Sequence, residues 1–170
     1  MGLWDRLRHA LGTIWADWQS PTDDAQTRLL SGLAAAWRAE QCAARKIRRL
    51  IPAIPYAQFR QRLEEMARDD EQHASLVHER LTSLGGVLGE ALNSRSKPES
   101  NVRGGSWQRL QQVLAVKRGL YEHYRQAASG VDDLGVQSIL ERLRDDEARH
   151  QEEIITMLMQ LDAYVHESSD

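Results

Sequence analysis

The sequence is poor in the residues that build sheets and in those that cross-link secreted proteins. Its 170 residues include one Phe and a single Cys, Cys42. No disulfide can form within the chain, and a lone thiol is typical of a reducing compartment. Runs of β-branched residues are few, whereas Ala, Leu, Arg, Glu and Gln are abundant, which favours helix throughout. We therefore expect one all-α domain with a continuous core.

Two longer patterns are also missing. No stretch approaches the roughly 20 apolar residues that a membrane-spanning helix needs, and no signal-peptide pattern is present, which predicts a cytoplasmic protein. The formal net charge is -3, and both signs are mixed along the chain without a basic stripe. We therefore expect no nucleic-acid partner.

Apolar residues that recur three and four apart predict five helices, over 3–18, 26–50, 56–84, 106–128 and 133–162. Proline breaks the chain after the second of these helices, and Ser129-Gly130 breaks it after the fourth. Two short hairpins joined by one long crossover predict a four-helix bundle. Its expected parts are an amphipathic helix in 1–20, a bundle in 21–162 with hairpins 26–84 and 107–162 around the crossover 85–106, and a polar tail in 163–170.

The chain repeats itself at an offset of 77 residues. The segment from Leu63 to His73 superposes without a gap on the segment from Leu140 to His150. Each segment ends in a carboxylate-x-x-His motif. The two hairpins are therefore predicted to be pseudo-twofold copies of each other.

Ionisable residues occupy core positions on all four helices of the predicted bundle. A carboxylate and an imidazole interrupt the apolar stripe of the second and the fourth helix, an acid interrupts the first, and a lysine interrupts the third. Burying an unpaired charge costs several kcal/mol, so such groups must be paired, neutralised or bound to metal. The residues are Glu40, Asp70, His73, Lys117, Glu147 and His150.

On these motifs the sequence resembles the rubrerythrin and ferritin-like superfamily. Its members carry Glu on the first and third helices and Glu-x-x-His on the second and fourth. The resemblance covers about residues 26–162 and implies a ferritin-like fold with two bound irons that support oxidation, peroxide reduction or iron storage. Carried over by position, it implies metal ligands at Glu40, Asp70, His73, Glu147 and His150.

Lys117 stands where the superfamily has its third-helix Glu, and an ammonium cannot ligate a metal. Three carboxylates and one ammonium leave two negative charges, which one divalent ion balances. We therefore expect one metal ion, Fe, Mn or Zn, or none. A salt bridge from Lys117 to Glu40, its counterpart in the repeat, would fill the second metal position.

Lys117 and Tyr121 are the candidates for a catalytic role. Lys117 beside a metal would hydrogen-bond a bound peroxide or superoxide, and Tyr121 is either redox-active near iron or a core tyrosine. The first functional hypothesis is iron-dependent redox or peroxide chemistry. The alternative is a non-catalytic, metal-poor bundle whose buried Lys–carboxylate network serves a structural, partner-binding or membrane-peripheral subunit.

Residues 3–18 predict an amphipathic helix with three tryptophans on its apolar face. Two interpretations stay open, docking on the bundle or on another subunit, and attachment to the inner face of a membrane. We also expect a homo-oligomer. The apolar face consists of Leu3, Trp4, Leu7, Leu11, Ile14, Trp15 and Trp18.

Overall fold

The computed structural model describes residues 25–88 and 104–167, with side chains up to residue 161, and every regular element in those ranges is helical. The prediction of an all-α four-helix bundle is confirmed. The helix predicted at 3–18 and most of the crossover lie outside the described residues. The helices are α1 (Ala25–Leu50), α2 (Ala57–Ser83), α3 (Ser106–Ser129) and α4 (Leu134–Glu167), and a 3-10 turn (Ile51–Ala53) joins α1 to α2.

The helix ends follow the breakers in the sequence. α1 ends in front of Pro52, which can only occupy the first positions of a new turn. Beyond the end of α2, Gly85 has a φ of 80°, in the left-handed region that favours glycine, and the next N–H, that of Gly86, donates to Leu81 O at 2.9 Å. α4 continues to Glu167 rather than ending at 162, so the predicted polar tail is helical as far as that residue.

The helices pack as two hairpins, α1 along α2 and α3 along α4, with smaller contacts joining α1 to α3 and α2 to α4. One stripe of α4, spaced alternately four and three residues apart, is buried along its whole length: Val136, Leu140, Leu143, Glu147, His150, Ile154, Met157 and Leu161. The apolar core divides into two clusters at opposite ends of the bundle. The ionisable residues predicted for the core lie between these two clusters along the bundle. The cluster at one end contains Leu33, Val77, Leu120 and Leu140, and the other contains Ile47, Phe59, Leu110 and Ile154.

Within the described ranges, no helix is both long enough and apolar enough to cross a lipid bilayer.

Candidate metal centre

The ionisable side chains that were predicted for the core are all buried. His73 is 5% exposed and the other five are 0% exposed. One comes from α1, two from α2, one from α3 and two from α4, so each hairpin contributes three. We call this group the centre, and its members are Glu40, Asp70, His73, Lys117, Glu147 and His150.

Lys117 is ion-paired with the carboxylates of α2 and α4. Its Nζ donates to Asp70 Oδ1 and, at 3.1 Å, to Glu147 Oε1. The expected salt bridge between Lys117 and Glu40 is therefore wrong, because two carboxylates attract the ammonium more strongly than one. Burial lowers the pKa of Lys117, but the negative charges of Glu147, Asp70 and Glu40 outweigh it and raise that pKa. The amine stays protonated.

Glu40 is held by a tyrosine instead. The Tyr124 hydroxyl donates to Glu40 Oε1 at 2.5 Å, and the Tyr124 side chain is fully buried. Burial, and then the charge of Glu40, raise the pKa of Tyr124, so the phenol remains a neutral donor. The sequence does not reveal this role, because a tyrosine on an apolar stripe is indistinguishable from an ordinary core residue. The candidate Tyr121 is only half-buried.

Aspartates on the opposite helix orient both imidazoles. His73 Nε2 lies 3.1 Å from Asp146 Oδ2, and His150 Nε2 lies 3.0 Å from Asp69 Oδ2. A carboxylate at one ring nitrogen fixes a proton there and turns the other nitrogen towards the core, the usual arrangement around a ligating histidine. Neither aspartate was predicted to belong to the centre. The repeat could have pointed to them, since each aspartate immediately precedes the inward carboxylate of its helix at matching positions of the two hairpins.

Several ligand-type atoms of the centre are buried without a hydrogen-bond partner. Each such atom costs about 1–3 kcal/mol if nothing satisfies it. Carboxylate oxygens and imidazole nitrogens are the ligands that iron, manganese and zinc take. The arrangement is therefore compatible with a bound divalent metal. The unpartnered atoms are Oε2 of Glu40, Oδ2 of Asp70, Oε2 of Glu147 and Nδ1 of His73 and His150.

The side chains of the centre shift one another's pKa values. Burial lowers the pKa of His73, but the nearby Glu40 carboxylate and the charges of Glu147 and Asp70 raise it to about 9. Burial raises the pKa of Glu147, but the positive charge of Lys117 and the two histidines lower it overall. A metal at Nδ1 of His73 would displace the proton that this nitrogen carries near neutral pH.

Replacing Tyr124 by Phe should destabilise the protein by about 1.5–3 kcal/mol, because a buried carboxylate loses its hydrogen-bond donor. Urea unfolding followed by circular dichroism measures this change. The matched control is Tyr121→Phe, which removes the same hydroxyl from a half-buried residue of the same helix. Equal losses in the two variants would contradict a specific role for the Tyr124 hydroxyl.

No family model and no curated protein matches the sequence. Among solved structures, the chain is similar to a dodecameric thioferritin, the bacterioferritin-related protein from Bacteroides fragilis. The TM-score is 0.74 at 22% sequence identity, and the match covers 92% of this chain and 97% of that chain. At this identity, the likeness concerns the fold.

Proposed function

We propose that this chain, whose fold is ferritin-like, binds a divalent transition metal in the middle of its bundle, and that the metal is iron. The observation that supports this most is the set of buried ligand atoms without partners, which lies between two apolar clusters. Carboxylate and imidazole ligands suit iron. The candidate ligands, from which one ion takes its set, are Glu40, Asp70, His73, Glu147 and His150.

The side chains around the metal have separate tasks in this proposal. Asp146 and Asp69 orient the two imidazoles, and Tyr124 holds one oxygen of Glu40, so that the ligand atoms are set before the ion arrives. The apolar clusters on either side exclude water. Bound iron would supply one-electron redox chemistry, on which a rubrerythrin-like reaction with peroxide would depend. Lys117 is the candidate hydrogen-bond donor to a peroxide beside the metal.

The assembly proposed for the chain is a homo-oligomer. The structural neighbour from Bacteroides fragilis is dodecameric, and a shared fold offers similar helix faces for self-association. Sedimentation velocity on the full chain tests this, with a single monomeric species as the contrary result. Residues 3–18 remain a predicted amphipathic helix, which would dock on protein or attach to a membrane surface.

One observation favours the alternative function, a non-catalytic bundle. The Lys117 ammonium already neutralises one oxygen of Asp70 and one of Glu147. A centre satisfied in this way would need no metal and would leave a structural or partner-binding subunit.

Metal content per chain separates the two functions. The protein is purified without chelators, as wild type and as the His73→Ala, His150→Ala double variant, and analysed by elemental analysis. We expect the wild type to carry about one ion per chain and the double variant none, because the variant loses both imidazoles of the candidate ligand set. The control is His78→Ala, an exposed histidine of α2, which should keep its metal. A wild type that stays metal-free after reconstitution would support the non-catalytic alternative.

A further inference from the structure

We propose that Lys117 divides the centre into one half that binds a metal ion and another half in which its ammonium takes the place of a second ion. This inference rests on the proposed metal binding; it adds the position of the single ion and places His150 outside its ligand set. The Glu40 half consists of Glu40 and His73, and the Lys117 half consists of Lys117 and His150. Asp70 and Glu147 are shared between the halves.

The Glu40 half is a complete set of ligands. Ions bound at about 2.0–2.2 Å from each ligand atom need those atoms to lie no more than about 4.4 Å apart. His73 Nδ1 lies 3.6 Å from Glu40 Oε1 and 3.9 Å from Glu147 Oε1. The four residues Glu40, Asp70, His73 and Glu147 offer ligand atoms that all lie within 4.8 Å of one another. A slight closure brings three carboxylates and an imidazole onto one ion.

The Lys117 half lacks the equivalent acid. His150 occupies the position in the repeat that matches His73, and its Nδ1 also lies 3.9 Å from Glu147 Oε1. In the repeat, however, the position that Glu40 occupies beside His73 corresponds to Lys117 in the second hairpin. The Lys117 ammonium donates to Asp70 Oδ1 and Glu147 Oε1, so one oxygen of each shared carboxylate is already committed to a cation. A second divalent ion there would meet one imidazole and a positive charge.

The charges of the buried centre also favour a single bound divalent ion. Three carboxylates and one ammonium carry two negative charges, which a single divalent ion neutralises. A second ion would leave two uncompensated positive charges among side chains that are fully buried. Lys117 thus acts as a tethered cation that is supplied by the chain itself and cannot be lost to a chelator.

The repeat provides a matched pair of variants for the test. His73→Ala and His150→Ala remove the same group from the two halves of the full chain. The probe is Co²⁺, titrated into metal-free protein by calorimetry and visible absorption. We expect about one Co²⁺ per wild-type chain, affinity weakened at least about 10-fold in His73→Ala, and affinity within about 3-fold of wild type in His150→Ala.

The outcomes separate this inference from the proposed function. Two Co²⁺ ions per wild-type chain, or equal loss of affinity in the two histidine variants, would overturn the division into halves and leave metal binding intact. No Co²⁺ bound by the wild type would overturn the proposed metal binding itself, and the division with it.

Lys117→Glu tests the role of the ammonium directly. The variant supplies the missing carboxylate, so we expect about two Co²⁺ ions per chain and a second ion that is lost when His150→Ala is added. Lys117→Gln is the control, since it removes the charge without adding an anionic ligand and should stay at one ion. A helical Lys117→Glu protein that still binds one ion would refute the tethered-cation role. The histidine pair tests the division independently of whether Lys117→Glu folds.

Discussion

Replacing Lys117 by Met is expected to lower the free energy of unfolding of the metal-free protein by about 3–5 kcal/mol. Lys117 is 0% exposed and forms salt bridges with two carboxylates that are also 0% exposed. Methionine fills a similar volume but supplies no charge, so the buried carboxyl groups of Asp70 and Glu147 lose their cationic partner. Guanidinium unfolding followed by circular dichroism, with chelator present, measures the loss.

The control for this experiment is Lys46→Met on α1, a lysine that is half-buried outside the centre. We expect the free energy of unfolding of Lys46→Met to differ from that of the wild type by about 0.5 kcal/mol or less. Saturating divalent metal should recover part of the loss in Lys117→Met, because the ion replaces the missing positive charge. If Lys117→Met lowers the free energy of unfolding by less than about 1 kcal/mol, the two carboxylates do not need the ammonium.

Acid should also destabilise the protein through His123 on α3. This side chain is 6% exposed, and burial lowers its pKa from 6.5 to about 4. Between these pH values the unfolded chain binds a proton that the folded chain does not, so stability falls as pH falls. The contribution of His123 to this loss approaches about 3 kcal/mol at pH 4. Unfolding curves from pH 7 down to pH 4 measure it.

The variant His123→Leu isolates this contribution from that of the carboxylates, which titrate in the same range. We expect the stability of His123→Leu to fall less steeply than that of the wild type between pH 6.5 and about 4. His78→Leu, which changes an exposed histidine of α2, should keep the steep dependence of the wild type. Identical slopes in His123→Leu and wild type would contradict a neutral, buried His123.

The helices and their buried faces were predictable because the apolar period continues through the ionisable residues. The α4 stripe from Val136 to Leu161 alternates in steps of four and three, and Glu147 and His150 take two of its positions without shifting the others. The end of α4 was less predictable. Residues 162–167 contain neither Gly nor Pro, so nothing stops the helix, yet they show no apolar period that would have extended the prediction.

The contacts inside the centre were not predictable, because a stripe fixes the level and the face of a residue but not how far its side chain reaches. Lys117 was expected opposite Glu40, whereas its four-carbon arm brings Nζ to Asp70 and Glu147. A tyrosine hydroxyl on one helix cannot be assigned to a carboxylate on another from spacing alone. The Tyr124–Glu40 hydrogen bond could therefore be identified only from the structure.

The crossed His–Asp pairs bear on the order in which the bundle forms. His73–Asp146 and His150–Asp69 each join α2 of the first hairpin to α4 of the second. Contacts within each hairpin are local and should form early, whereas these pairs can form only when the two hairpins dock. The hairpins cannot separate while an ion is shared between Glu40 and Glu147. Release of the ion and separation of the hairpins would then occur in the same activated step of unfolding. Bound metal should therefore act mainly by slowing the unfolding rate.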